Sequence, residues 1–175
     1  MFKRKMLFAP AALACVGLLG LTAAKADDDA HCYTLASLEG TFAVVSRYGN
    51  DGDHVAEALS VRQFDGNGNL MGTFITNEPV VGSPTGERKI VHGTVVGNYT
   101  VNCDGTGVFN RVITTAKGTV TQSEDFLITK AARKHGRLLA TAMVDMSRTP
   151  SPVVPGGLFV TRSYTRLPNA LREDE

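Results

Sequence analysis

The chain has little cysteine, little histidine and no long apolar run beyond its first two dozen residues. Each shortage removes a class of function. The four histidines fall in no HxH or HExxH spacing, so there is no zinc signature. No Gly-x-Ser-x-Gly elbow presents a nucleophilic serine, and no Gly-x-x-x-x-Gly-Lys loop offers its amides to a phosphate. No arginine-rich run interleaved with aromatics supplies the basic face that nucleic acid requires. Helical periodicity is poor: residues 55–59 and 131–134 each hold at most a turn. No catalytic residue, metal site or cofactor is expected, and no membrane span follows the N-terminal segment.

What is present begins with a processing signal. Lys3, Arg4 and Lys5 form a basic start, residues 7–21 are apolar, and Ala24-Lys25-Ala26 offers a small-x-small cleavage site. Ala12-Leu13-Ala14 before Cys15 admits a lipoprotein signal as the alternative. Residues 1–26 are therefore read as a signal peptide and the protein as exported, to the periplasm or beyond. Losing Lys3, Arg4, Lys5 and Lys25 leaves 14 basic against 17 acidic residues, a net charge of about −3, again unlike a nucleic-acid binder. Cys32 and Cys103 remain. In an oxidising compartment they read as one disulfide. A metal pair or a reactive thiol is the competing reading, but neither cysteine has a partner at ligand spacing.

The rest of the chain alternates apolar and polar residues between turn signals, with Gly40-Thr41-Phe42, Gly72-Thr73-Phe74 and Gly97-Asn98-Tyr99 as a repeated phrase. The pattern predicts eight strands, at 38–47, 57–65, 69–77, 88–103, 106–115, 118–130, 136–147 and 157–167. The strongest hairpin signal is Asp65-Gly66-Asn67-Gly68-Asn69. It also resembles the start of a calcium loop, but Leu70 and Thr76 stand where that loop needs glycine and glutamate. Asp51, Asp53 and His54 make a second acidic turn. Residues 27–168 form one domain and 169–175 a polar, disordered tail. The fold class is all-β, an eight-stranded antiparallel up-and-down barrel, with a two-sheet sandwich as the alternative.

Three stretches carry a resemblance: Cys32-Tyr33-Thr34-Leu35 with Leu38-Glu39-Gly40-Thr41-Phe42, then Phe64 to Asn69, then Gly97 to Gly107. In this order they resemble a group of small exported bacterial proteins of unknown function, themselves similar to lipocalin-like and allene-oxide-cyclase-like β-barrels. Cys103 precedes Asp104 here, where the group has the reverse order. The resemblance implies the barrel and brings no catalytic residues. A cyclase or isomerase is reached only by analogy of fold.

Strand parity assigns faces. Val120, Gln122, Glu124, Phe126 and Ile128 share one face; Leu158, Val160, Arg162 and Tyr164 share another; Leu138, Ala140, Ala142 and Val144 make a third, inward and apolar. His92 points out. Two functional readings follow. In the first, the barrel binds a small, partly apolar or carboxylate ligand, with Arg162, Tyr164 and Glu124 at its polar end and Phe42, Phe74 and Phe126 along its apolar part. In the second, Glu124 and Arg162 are an internal ion pair, the barrel is filled, and the protein is a structural or interaction protein of the cell envelope. The first requires a cavity of a few hundred Å3. A β-bulge would flip the parity.

Overall fold

The computed structural model describes residues 32–49, 55–80, 82–151 and 159–168. The expectations for residues 1–26, for Asp51, Asp53 and His54, and for the tail 169–175 lie outside them. Eight antiparallel strands close into a barrel in chain order: β1 Gly40–Tyr48, β2 Ala56–Phe64, β3 Asn69–Pro79, β4 Arg88–Val101, β5 Thr106–Thr115, β6 Gly118–Lys134, β7 Arg137–Ser147 and β8 Val160–Arg166. All eight expected strands are present, and the closed ring excludes the sandwich. Residues 131–134 hold no helical turn; they continue β6, whose hairpin with β7 runs to Lys134↔Arg137. Residues 56–59 likewise lie in β2.

Alternation drives the closure. In β2, Ala56, Ala58, Ser60, Arg62 and Phe64 are buried while the residues between them are exposed, so one face must be covered and only a curled sheet can cover it with itself. Bulky inward side chains are accommodated by glycine on the neighbouring strand. Arg62 faces Gly72, Phe74 faces Gly93, Arg111 faces Gly97 and Phe126 faces Gly107. A Cβ at Gly72 would stand 3.1 Å from the Arg62 Cδ and collide with the Val61 carbonyl. The glycines of the repeated phrase thus make room as well as bends.

One end of the barrel is apolar and plugged. Phe42, Phe64, Tyr99, Phe109, Phe126 and Ile128 pack there with Leu38, and Phe109 stacks on Phe126 at 4.3 Å between ring centroids. A 3-10 turn, Leu35–Leu38, closes this end; the alternation pattern had not revealed it. The Tyr99 hydroxyl donates to the Leu35 carbonyl at 3.0 Å. Arg166 lies 4.7 Å above the Phe42 ring and donates to the carbonyls of Ala140 (2.6 Å), Ser37 (3.3 Å) and Glu39. Cys32 and Cys103 form a disulfide with 4.4 Å between Cα atoms, tying the segment before the plug to the β4–β5 turn. Across a sequence separation of 71 the loop-closure model assigns it about 4 kcal/mol.

The Asp65–Asn69 hairpin is self-satisfied. Asp65 accepts hydrogen bonds from the Asn67 amide at 2.7 Å, the Asn69 amide at 2.9 Å and the Asn69 side chain at 2.7 Å. Those donors hold its carboxyl below the ordinary carboxylate value. The described residues contain no cluster able to hold a metal ion, and none of their helices is long and apolar enough to cross a membrane.

Candidate functional site

Above the aromatic plug the barrel interior turns polar. Arg62 of β2, Arg111 of β5, Gln122 and Glu124 of β6, Asp145 of β7 and Arg162 and Tyr164 of β8 are all buried. Five strands therefore deliver seven polar side chains to one layer, each on an inward position of its strand. Arg111 Nε donates to Glu124 Oε2 at 2.8 Å, and its Nη2 also contacts the second oxygen of that carboxylate. Arg162 Nη1 reaches Asp145 Oδ1 at 3.1 Å and Glu124 Oε1 at 3.4 Å, while Nη2 donates to Gln122 Oε1 at 3.4 Å. The Tyr164 hydroxyl donates to Asp145 Oδ2 at 2.5 Å.

The electrostatics follow from burial. Desolvation works against the Arg162 charge, but Asp145 and Glu124 outweigh it and hold the guanidinium above its ordinary value. Burial and then the Asp145 carboxylate push the Tyr164 phenol up. Arg62 differs. Burial, then the charge of Arg111, lowers it to about 10, and its one hydrogen bond is from Nη1 to the Thr73 carbonyl at 3.3 Å. Its Nε has no hydrogen-bond partner among the described residues.

Glu124, Arg162 and Tyr164 thus come together as expected, all three inside the barrel. Phe42, Phe74 and Phe126 pack with Tyr164 in one buried cluster. Of the three phenylalanines, Phe74 also lines a space of about 10 Å3 with Ser46, Tyr48, Ala58, Ser60, Arg62, Ile113 and Arg162. That volume suits about one water molecule.

Asp145 was missed, and the reason is local. Parity placed Val144 on the inward face of β7; the structure turns it outward, 41 % exposed, and buries Met143 and Asp145 instead. The pairing of β6 with β7 shifts register between Ile128 and Ala131, so Ala140 and Met143 face inward with two residues between them. One extra residue reverses the phase of everything beyond it. Arg62 and Arg111 were missed although β2 and β5 alternate cleanly. Each sits at an even inward step beside aromatics, a signal the strands carried openly. A third buried carboxylate, Glu78 of β3, accepts from Lys117 Nζ at 2.8 Å and lies 3.3 Å from Lys89 Nζ.

The larger depressions lie outside the barrel. One of about 690 Å3 runs across β2–β5 and is bounded by Leu59, Val61, Ile75 and His92. A neighbour of about 240 Å3 shares Leu59 and Ile75 and adds Val45 and Ile90. Val45, Leu59, Val61, Met71, Ile75, Ile90 and Val96 form an exposed apolar set on β1–β4. Across β4–β6 the outer surface is polar instead, with Asn98, Asn110 and Ser123 joined by hydrogen bonds of 3.3 and 2.7 Å. Comparison with protein-family models, with curated proteins and with solved structures gives no match.

Proposed function

We propose that this protein is a non-catalytic, exported interaction protein whose barrel is a filled scaffold and whose outer β1–β4 face meets a partner protein of the cell envelope. The observation that carries this reading is how fully side chains occupy the interior around Arg162. Arg162, the residue that would orient a carboxylate ligand, already spends its donors on Asp145, Glu124 and Gln122. The space beside it is about 10 Å3, against the several hundred a small-molecule site requires. The disulfide is compatible with an oxidising compartment. The exposed apolar side chains grouped on β1–β4 outnumber those on β6–β7, where Leu127, Val144 and Met146 are exposed, and such a grouping is the usual mark of an interaction face. Ligand binding inside the barrel, a cyclase and an isomerase all need more room than the described residues leave beside Arg162.

The test places a photo-crosslinking residue at Leu59, and separately at Thr121 on the polar side, in the protein expressed in its own host. A discrete crosslinked partner from Leu59 and none from Thr121 is expected, lost when Ile75→Glu is added. Equal labelling from both positions overturns the reading. So does native mass spectrometry that finds a reproducible small-molecule adduct on the otherwise bare chain.

A further inference from the structure

Among the described residues the charged layer does not balance. Arg62, Arg111 and Arg162 supply three positive charges, and Glu124 and Asp145 supply two negative ones, all five side chains being 4 % exposed or less. Glu78 cannot make up the deficit. It is engaged by Lys117 and Lys89, and it stands six residues along β3 from Gly72, the partner of Arg62, roughly 20 Å away at strand rise. The tyrosine hydroxyls are neutral. A buried guanidinium without a counter-charge is costly, and arginine does not shed its proton to escape the cost.

The uncompensated residue is Arg62, and it lines a cavity. Two buried donors on that wall have no hydrogen-bond partner among the described residues: Arg62 Nε and Ser60 Oγ. They sit two residues apart on the inward face of β2, which places them side by side along the strand. Arg162, one strand beyond β1, adds positive charge, and Phe74, Ile113 and Ala58 supply an apolar wall. Two free donors, one excess positive charge and a space of single-atom scale define a chemical class. A carboxylate or phosphate has too many heavy atoms for about 10 Å3, whereas a halide is a single atom somewhat larger than the water molecule that volume suits and enters with a small shift of the Arg62 side chain.

We propose that the barrel holds a buried monovalent anion of chloride size between Arg62 Nε and Ser60 Oγ, completing the charge balance of the interior. The ion neutralises the excess charge and satisfies two donors that would otherwise be desolvated without return. It is a structural counter-ion, bound only when the eight strands have closed.

The experiment follows from linkage. The oxidised protein is unfolded in urea, refolded in sodium gluconate, and its thermal unfolding is followed as chloride replaces gluconate at constant ionic strength. Binding only the folded state raises Tm in proportion to the logarithm of ligand concentration above Kd. The expected rise is roughly 3–6 °C per tenfold increase in chloride for a domain of this size. It runs against the general effect of salts, since strongly hydrated anions are the ones that stabilise through exclusion. Bromide should substitute, and crystals grown in bromide should show an anomalous peak between Arg62 and Ser60. Arg62→Met should unfold at the same temperature in either salt. Equal Tm values for the wild-type protein in chloride and gluconate overturn the proposal. So does a bromide crystal with water alone at that position, or a chloride response that survives in the variant. The crystallographic measurement needs no variant and decides the matter if Arg62→Met fails to fold.

Discussion

Replacing Glu124 by glutamine changes one atom and tests how the interior is held. The carboxylate accepts from Arg111 Nε at 2.8 Å and from Arg162 Nη1 at 3.4 Å, with its side chain wholly buried. An amide keeps the shape but removes a negative charge and turns an N–H toward two guanidinium groups. Breaking a buried pair in this way costs about 3–5 kcal/mol, because the stranded charges have no water to turn to. A domain of this size has about 5–15 kcal/mol in hand, so the Glu124→Gln protein should fold but melt roughly 10 °C lower. The assay is urea unfolding followed by far-ultraviolet circular dichroism, read as a change in midpoint at unchanged slope. The companion variant removes both partners. Arg111→Met with Glu124→Leu leaves the excess charge of the layer as it was and should recover most of the loss, to within about 2 kcal/mol of the parent. A cost under about 1 kcal/mol for Glu124→Gln, with no recovery in the double variant, would refute the reasoning. It would mean that water reaches this layer and screens it.

Two further outcomes follow from the same geometry. Because the folded-state value of the Tyr164 phenol is raised above its ordinary 10.0, the folded chain keeps that proton where the unfolded chain loses it. Stability is therefore fully present below pH 10 and falls as pH rises beyond it. Absorbance titration at alkaline pH should show tyrosine ionisation delayed until unfolding, to which Tyr99, likewise raised by burial, also contributes; Tyr164→Phe should remove its share, and smooth titration of Tyr164 in the folded state would contradict its burial. Gly72→Ala should destabilise by about 1–3 kcal/mol, since the added methyl meets the Val61 carbonyl and stands 3.1 Å from the Arg62 Cδ. Thermal melts of this variant beside the parent protein check it; an unchanged melting temperature would show that the space opposite Arg62 is not what Gly72 provides.

The number of strands, their order and the hairpin at Asp65 were legible in the chain because each depends on neighbours in sequence. Alternation with period two marks a half-buried strand, and Asn-Gly marks a tight turn, whatever lies elsewhere. Parity carried further, to the inward placement of Glu124, Arg162 and Tyr164, since the irregularity in β6 lies beyond Ile128 and β8 has none. It failed at Asp145, where one extra residue in β7 reverses the phase, and nothing in Leu138 to Val144 announces that step. Closure was beyond parity as well. Whether inward side chains enclose a ligand or fill the space depends on which ones meet across the barrel, and only the register decides that. Register sets glycine opposite Arg62, Phe74, Arg111 and Phe126, drawing the walls close enough to exclude a ligand of several hundred Å3. It also brings three arginines to two carboxylates, a charge imbalance summed over residues from five strands. The sequence by itself determined a barrel with polar residues inside; the tertiary structure decided that they pair with one another and that, among the described residues, one arginine is left over.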